Sequence, residues 1–178
     1  AASDVYKRQA QYISEIVNDF NIMNPIDYCN NPTVNLITHR HYEICKKNNI
    51  NFTISIKNAN IDFIKEHDIT ALLDNLLENA VESALMTNEK FIDFSISTRN
   101  SNFVIIKISN SCNKKPKYID GTLVSSKSTS GMHGIGTRSI KRVVEKYNGN
   151  LEMKFDNDTK TFTSVIGINS NLPSNNQS

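Results

Sequence analysis

Three of the chain's six glycines fall inside six residues, Gly131-Met132-His133-Gly134-Ile135-Gly136. Glycine takes positive φ and admits close backbone approach at no steric cost, so a cluster of this kind marks a place where the chain must bend or let something come near. Ile140, Val143, Val144 and Tyr147 follow at helical spacing, and Asn148-Gly149 closes the pattern as a C-cap would. A glycine-rich loop feeding a helix N-terminus presents free N–H groups and the positive end of the helix dipole together, which suits an anion. No Gly-Lys-Ser/Thr ends the loop, so it is not a Walker loop. Nor does an early strand-turn-helix carry it, as a dinucleotide fingerprint requires. Taken alone, such a lead-in to a helix is as often a plain loop.

A second constraint lies upstream. Asp68 reads as the N-cap of a long helix running to about Met86. Ile69, Leu73, Leu76, Leu77, Ala80, Val81 and Ala84 fall on one face at the 3.6 period. Asn75 and Asn79, four apart, share another side with Glu78 and Glu82. Asparagine is a mediocre helix former, so two of them beside carboxylates above an apolar face mark either a solvated surface or a polar site. An amide oxygen can ligate a hard cation such as Mg²⁺, which commonly arrives with nucleotide phosphates.

Around these stretches the chain alternates between two periods. Tyr6, Ala10, Ile13, Val17 and Phe20 form a short a/d seam, equally suited to packing on its own domain or to a homodimer helix, and Asn24-Pro25 breaks it. Asn30-Asn31-Pro32 opens a helix with Val34, Ile37, His41 and Ile44 or Cys45 on one side, closed by Lys46-Lys47-Asn48-Asn49. Asn51 to Lys57 alternates as a strand with one buried face. Phe91–Thr98 and Asn102–Asn110 form a hairpin turned at Arg99-Asn100-Ser101. Ser111 to Met132 has no lasting period and reads as a lid or a disordered connection. Leu151–Phe155 and Thr161–Ile168 form a second hairpin, turned at Asp156-Asn157-Asp158. This order predicts an α+β two-layer sandwich: a mixed, largely antiparallel sheet with helices on one face, preceded by a helical segment. The expected boundaries are 1–25 for the preceding helix, 26–170 for the main domain and 171–178 for a polar tail. The first nine residues, unlike those that follow, are read as a cloning or assembly remnant.

Composition narrows the class. At 38% hydrophobic and 21% charged, the chain can bury a core. A net charge of +2 is too small to argue for nucleic acid as the partner. Cys29, Cys45 and Cys112 are odd in number and widely spaced, which indicates neither a zinc site nor a disulfide framework. No apolar run reaches the ~18 residues of a membrane span.

Together, Asn75-Leu-Leu-Glu78-Asn79-Ala80 and Gly134-Ile-Gly136, separated by a hairpin and a long lid, resemble the ATP-binding domain of the GHKL superfamily, the Bergerat fold. Within it the chain looks like the catalytic domain of bacterial sensor histidine kinases. Leu72 to Glu82, His133 to Ser139 and Lys146-Tyr147-Asn148-Gly149 are similar to the AgrC-type branch of peptide quorum-signal receptors, and Asn31-Pro32 with Asn49-Ile50-Asn51-Phe52 resembles its entry segment. The likeness spans roughly residues 30–169.

The resemblance implies ATP and Mg²⁺ as cofactors. Asn79 would hold the Mg²⁺, and Asn75 would sit one turn earlier near the phosphates, in the catalytic position. ATP-hydrolysing members carry a glutamate there as general base, and an amide cannot do that work, which favours phosphoryl transfer. Gly134 and Gly136 would let the helix N-terminus approach the phosphates, and Lys127 on the lid is a candidate phosphate contact or a solvated lysine. Most histidine kinases follow the third strand with Asp-x-Gly-x-Gly, whose Asp accepts the adenine amino group. Here Ser109-Asn110-Ser111-Cys112-Asn113 stands in its place. Asn110 can still accept the adenine N–H, more weakly than a carboxylate. Thr163 is a further candidate for the adenine pocket.

The phosphoacceptor is not found. His39 precedes Arg40 and His41 precedes Tyr42, His67-Asp68 opens the long helix, and His133 belongs to the glycine stretch. The implied partners are therefore the dimerisation and histidine-phosphotransfer domain of a parent kinase and a response regulator, with a homodimer through residues 6–20 as a further expectation. The implied setting is the cytoplasmic part of a membrane-bound receptor. Two rivals stand beside this reading: a free-standing GHKL serine kinase of the anti-sigma type, and a non-catalytic nucleotide-sensing or dimerisation module.

Overall fold

A computed structural model describes residues 28–116, 118–119, 122–123 and 135–171. The expectations for residues 1–27, Lys127, His133, Gly134, most of the lid and the tail beyond 171 lie outside the described residues. The elements, in order, are α1 (Pro32–Lys47), β1 (Asn51–Lys57), α2 (Glu66–Leu85), β2 (Phe91–Arg99), β3 (Phe103–Ser111), the two-residue strands β4 (Tyr118–Ile119) and β5 (Thr122–Leu123), α3 (Ile135–Lys146), β6 (Asn150–Asp156) and β7 (Thr161–Asn169). Five strands form one sheet in the order β1-β2-β3-β7-β6, and β4 pairs with β5 apart from it. Only β1 and β2 run parallel within the five-stranded sheet; the other neighbours are antiparallel. The α+β two-layer reading therefore holds. The β4–β5 hairpin, inside the stretch read as aperiodic, is an addition.

Period two decides which face of the sheet is covered. On β2, β3 and β7 the even-numbered residues Ile92, Phe94, Ile96, Val104, Ile106, Ile108, Ile166 and Ile168 are buried. They form one core with Ile69, Leu72, Leu73, Leu76, Leu77, Ala80, Val81 and Ala84 of α2. Val34, Ile37 and Cys45 of α1 and Ile140, Val143 and Val144 of α3 complete it. A fully buried Leu or Ile contributes roughly 1.5–3 kcal/mol relative to exposure, so this apolar layer dominates the stability of the fold.

The helix ends follow local chemistry. Asn31 caps α1, accepting from the Val34 N–H at 3.0 Å, and Pro32 occupies the first turn, where a missing N–H is harmless. Its Nδ2 donates to Asp62 Oδ1 at 2.9 Å, tying the helix start to the loop after β1. α1 and α3 both end on an asparagine in the left-handed region, Asn49 (φ 54°) and Asn148 (φ 51°). The following N–H groups reach back, Ile50 to the Cys45 carbonyl at 2.9 Å and Gly149 to the Val144 carbonyl at 2.8 Å. This is the Schellman closure, with Asn supplying the positive φ. Gly149 is needed for closeness instead: a Cβ there would lie 2.9 Å from Ile168 Cγ1.

One expectation is corrected. Asp68 is not the N-cap of α2. The helix begins at Glu66 after Lys65, which makes no side-chain cap. Asp68 lies inside the first turn, buried, and its carboxylate is claimed by α3.

Candidate functional site

α2 organises the site along one stripe. Asn75 is half-buried, and its Nδ2 donates to the Ala71 carbonyl at 2.5 Å, one turn back. That bond fixes the amide and leaves Oδ1 directed at α3. A Cβ added to Gly136 would stand 2.8 Å from Asn75 Oδ1, closer than side chains pack. The first turn of α3 thus rests directly on the asparagine stretch, and glycine is the residue that permits it. Asn79, one turn on, is exposed, and no described residue hydrogen-bonds its amide. Ser83, another turn on, donates to the Ser111 carbonyl at 3.1 Å and pins the end of β3 to α2. Thr87 adds a 2.9 Å hydroxyl contact to Ser111 Oγ. One helix face therefore joins Gly136 at one end to the end of β3 at the other, with the exposed amide of Asn79 between them.

Asn110 stands on the covered face of β3, opposite Phe162 in register, and is 3% exposed. Its Nδ2 donates to the Ser111 carbonyl at 2.9 Å. The amide oxygen, which has no donor among the described residues, is left as an acceptor. Thr163 is not brought to this site. The register that puts Phe162 opposite Asn110 puts Thr163 opposite Ser109, on the face away from the helices, where the two hydroxyls meet at 2.9 Å. There it lines a shallow depression with Lys107, Glu152, Lys154 and Thr161. A second open depression is lined by Tyr28, Asn58, Asn60 and Asp62 and by none of Asn75, Asn79, Asn110 or Gly136. Among the described residues no group of three or more His, Cys, Asp or Glu side chains is placed to hold a metal ion.

Two ion-pair groups flank α2. Asp68 accepts from Lys146 Nζ and from Tyr147 Oη, both at 2.7 Å, while Tyr147 Oη accepts from the Lys65 N–H at 3.0 Å. Burial works to raise the Asp68 carboxyl, but hydrogen bonds from Lys146 and Tyr147, with the Lys146 charge, hold it below the usual carboxylate range. On the other side, Asp74 meets the Arg40 guanidinium and, at 3.3 Å, His41 Nε2 of α1. Burial pushes His41 below the ordinary imidazole value, the Asp74 hydrogen bond opposing it.

Residues 64–168 match the GHKL domain family. The chain belongs to that family. Solved structures agree on the fold: the nucleotide-free catalytic domain of histidine kinase ThkA superposes with a TM-score of 0.59 at 18% identity, over 78% of this chain and 90% of that one. The Acinetobacter baumannii histidine kinase AdeS gives 0.55 at 12% identity, over 93% and 82%. A curated relative, the Bacillus subtilis (strain 168) protein named "Probable C4-dicarboxylate sensor kinase", is 29% identical over 112 residues, 59% of this chain. The chain spans 20% of that relative's length.

In this GHKL domain, then, Asn75, Asn79, Gly136 and Asn110 stand along or beside one helix face, and Thr163 does not. Sequence reasoning missed Ser83 and the Asp68–Lys146–Tyr147 group. Ser83 was accessible as the next member of the Asn75, Asn79 stripe at i+4. The Asp68 group joins residues nearly eighty positions apart and leaves no local signal.

Proposed function

We propose that this GHKL domain is the ATP-binding catalytic part of a sensor histidine kinase, moving the γ-phosphoryl of Mg-ATP to a histidine outside this chain. The observation that carries the reading is the seating of Gly136 on Asn75, which sets the N-terminus of α3 beside a helix face bearing the exposed amide of Asn79. A side chain at 136 would close that approach. The donor set fits the cofactors: amide oxygen is a hard ligand suited to Mg²⁺, and helix N–H groups suit phosphate. Asn79 would hold the Mg²⁺, which when bound neutralises charge on the triphosphate. Gly134, Gly136 and Lys127 would serve the phosphates, and Asn110 Oδ1 would accept the adenine amino group. Asn75, an amide already donating to Ala71, has no basic oxygen with which to activate water, so the site favours transfer over hydrolysis. Positioning and charge neutralisation then supply most of the catalysis.

The AgrC-type placement rests on Leu72 to Glu82, His133 to Ser139 and Lys146 to Gly149. With it go the remaining proposals: a dimerisation and histidine-phosphotransfer domain and a response regulator as partners, residues 6–20 as a homodimer helix, and a cytoplasmic position in a membrane receptor.

The test is titration of a fluorescent ATP analogue with Mg²⁺ on the wild type and on Asn79→Ala. Saturable, Mg²⁺-dependent binding is expected, weakened at least about tenfold in the variant (~1.4 kcal/mol). No wild-type binding up to about millimolar nucleotide, ~4 kcal/mol of affinity, overturns the reading. Radiolabelled transfer to a supplied dimerisation hairpin is the second step; transfer to a serine protein instead would point to the anti-sigma type of kinase.

A further inference from the structure

We propose that Asp68, acting through Lys146 and Tyr147, is a positioning residue that sets the axial register of α3 on α2 and so holds Gly136 against Asn75. The inference rests on reading that contact as part of the nucleotide site. α2 and α3 lie antiparallel: the start of α2 meets the end of α3 at Asp68, and the middle of α2 meets the start of α3 at Gly136. The end of α3 is held by several directed contacts at once. Lys146 and Tyr147 both reach the Asp68 carboxylate, Tyr147 is held in turn by the Lys65 N–H, and its ring stands edge-on to Phe63 at 6.2 Å. Immediately beyond, the Schellman turn seats Gly149 on Ile168 with no space for a Cβ.

The helix carries that anchorage from Lys146 about 15 Å to Gly136, at ~1.5 Å per residue. A helix is stiff over this length, so a shift at one end appears at the other. Apolar burial of Ile140, Val143 and Val144 holds α3 to the core, and contacts of this kind are less directional than a hydrogen bond. A carboxylate taking two hydrogen bonds cannot slide. An ion pair between a buried carboxylate and a partly exposed lysine is a weak source of net stability, which leaves register as its more natural role here. The Asp68 carboxylate stays ionised throughout the neutral range because its partners hold it low.

The experiment uses the full chain and two variants, Asp68→Asn and Tyr147→Phe. Three readouts are taken: the melting temperature and, well below it, the affinity for the fluorescent ATP analogue with Mg²⁺ and the ¹H–¹⁵N resonances of the Gly136 amide and the Asn75 side-chain amide. Asp68→Asn is expected to shift both resonances without nucleotide and to weaken binding about fivefold (~1 kcal/mol) while the protein remains folded. Tyr147→Phe, which keeps the ring and loses one hydrogen bond, should move both in the same direction by less, and it decides the matter if Asp68→Asn does not fold. Lowered melting temperature with unmoved resonances and unchanged affinity would show a merely structural role and overturn the inference. A wild type that binds no nucleotide overturns the proposed function, and the Gly136 and Asn75 resonances then judge the register claim alone.

Discussion

At position 136 a single missing carbon decides how close two helices come. Alanine is favoured over glycine by roughly 0.5–1 kcal/mol in a helix interior and by less in the first turn, where Gly136 lies, so Gly136→Ala ought to stabilise α3 slightly if nothing faced it. The added Cβ would instead stand 2.8 Å from Asn75 Oδ1, and either α3 or the asparagine must give way. We expect Gly136→Ala to keep its melting temperature within a few degrees, the two effects offsetting, and to bind the ATP analogue about tenfold more weakly (~1.4 kcal/mol) in the same titration. Asn75 and Asn79 were legible in the sequence because i, i+4 spacing places two side chains together whatever the helix packs against. Thr163 was misplaced although the period of its strand was legible. Alternation shows that Phe162 and Thr163 face opposite ways, and the apolar even positions Phe162, Ile166 and Ile168 put Phe162 on the covered face and Thr163 on the other. Asp68 was misread because a first-turn carboxylate is a good cap by local rules, while Lys146 and Tyr147, distant in sequence, are the groups that take it.

Among the elements, α1 carries a pH response. His41 is 5% exposed, shares Asp74 with Arg40, and also feels Glu78 from α2. Burial is the largest influence and lowers its affinity for protons in the folded state. The unfolded chain therefore protonates first as pH falls through about 6.5, the ordinary imidazole value. Stability is fully present above that value and declines below it, until the folded imidazole also titrates. Melting temperature should fall between pH 7.5 and 5.5, and His41→Gln, which does not titrate, should flatten part of that slope; equal slopes would discount the imidazole. Helices and strands of the main sheet were readable to within about three residues, the start of α2 being the largest miss, because Ile, Leu, Val and Phe recur at clean periods. β4 and β5 were not, since two-residue strands are too short to establish a period.

The described residues build one apolar layer between one sheet face and three helices, and α2 lies at its centre. Leu77 is fully buried there, on the face opposite Asn75 and Asn79. Leu77→Ala should cost about 2–5 kcal/mol of unfolding free energy, measured by urea titration, because the sheet cannot collapse into the space left. Nucleotide affinity, measured under folding conditions, should change far less. The two-layer architecture followed from the order of periods along the chain, but the strand order did not: β7 sits between β3 and β6, a neighbour relation that alternation alone does not encode.

That strand order also bears on how the protein is born. The chain leaves the ribosome from its N-terminus, and domains form as their parts become available. β1 has no partner until β2 emerges, with all of α2 synthesised between them, and β3 must wait for β7 while residues 112–160 are made. Asn75 and Asn79 are thus exposed to the cell long before Gly136 exists, and the helix bearing Gly136 is clasped only once Lys146, Tyr147 and the last hairpin have followed. Closing such separated pairs costs chain entropy before any contact repays it. A nascent chain truncated before β7 would present an open apolar sheet edge, so capacity to bind should arrive late and all at once, with the completion of the final strand.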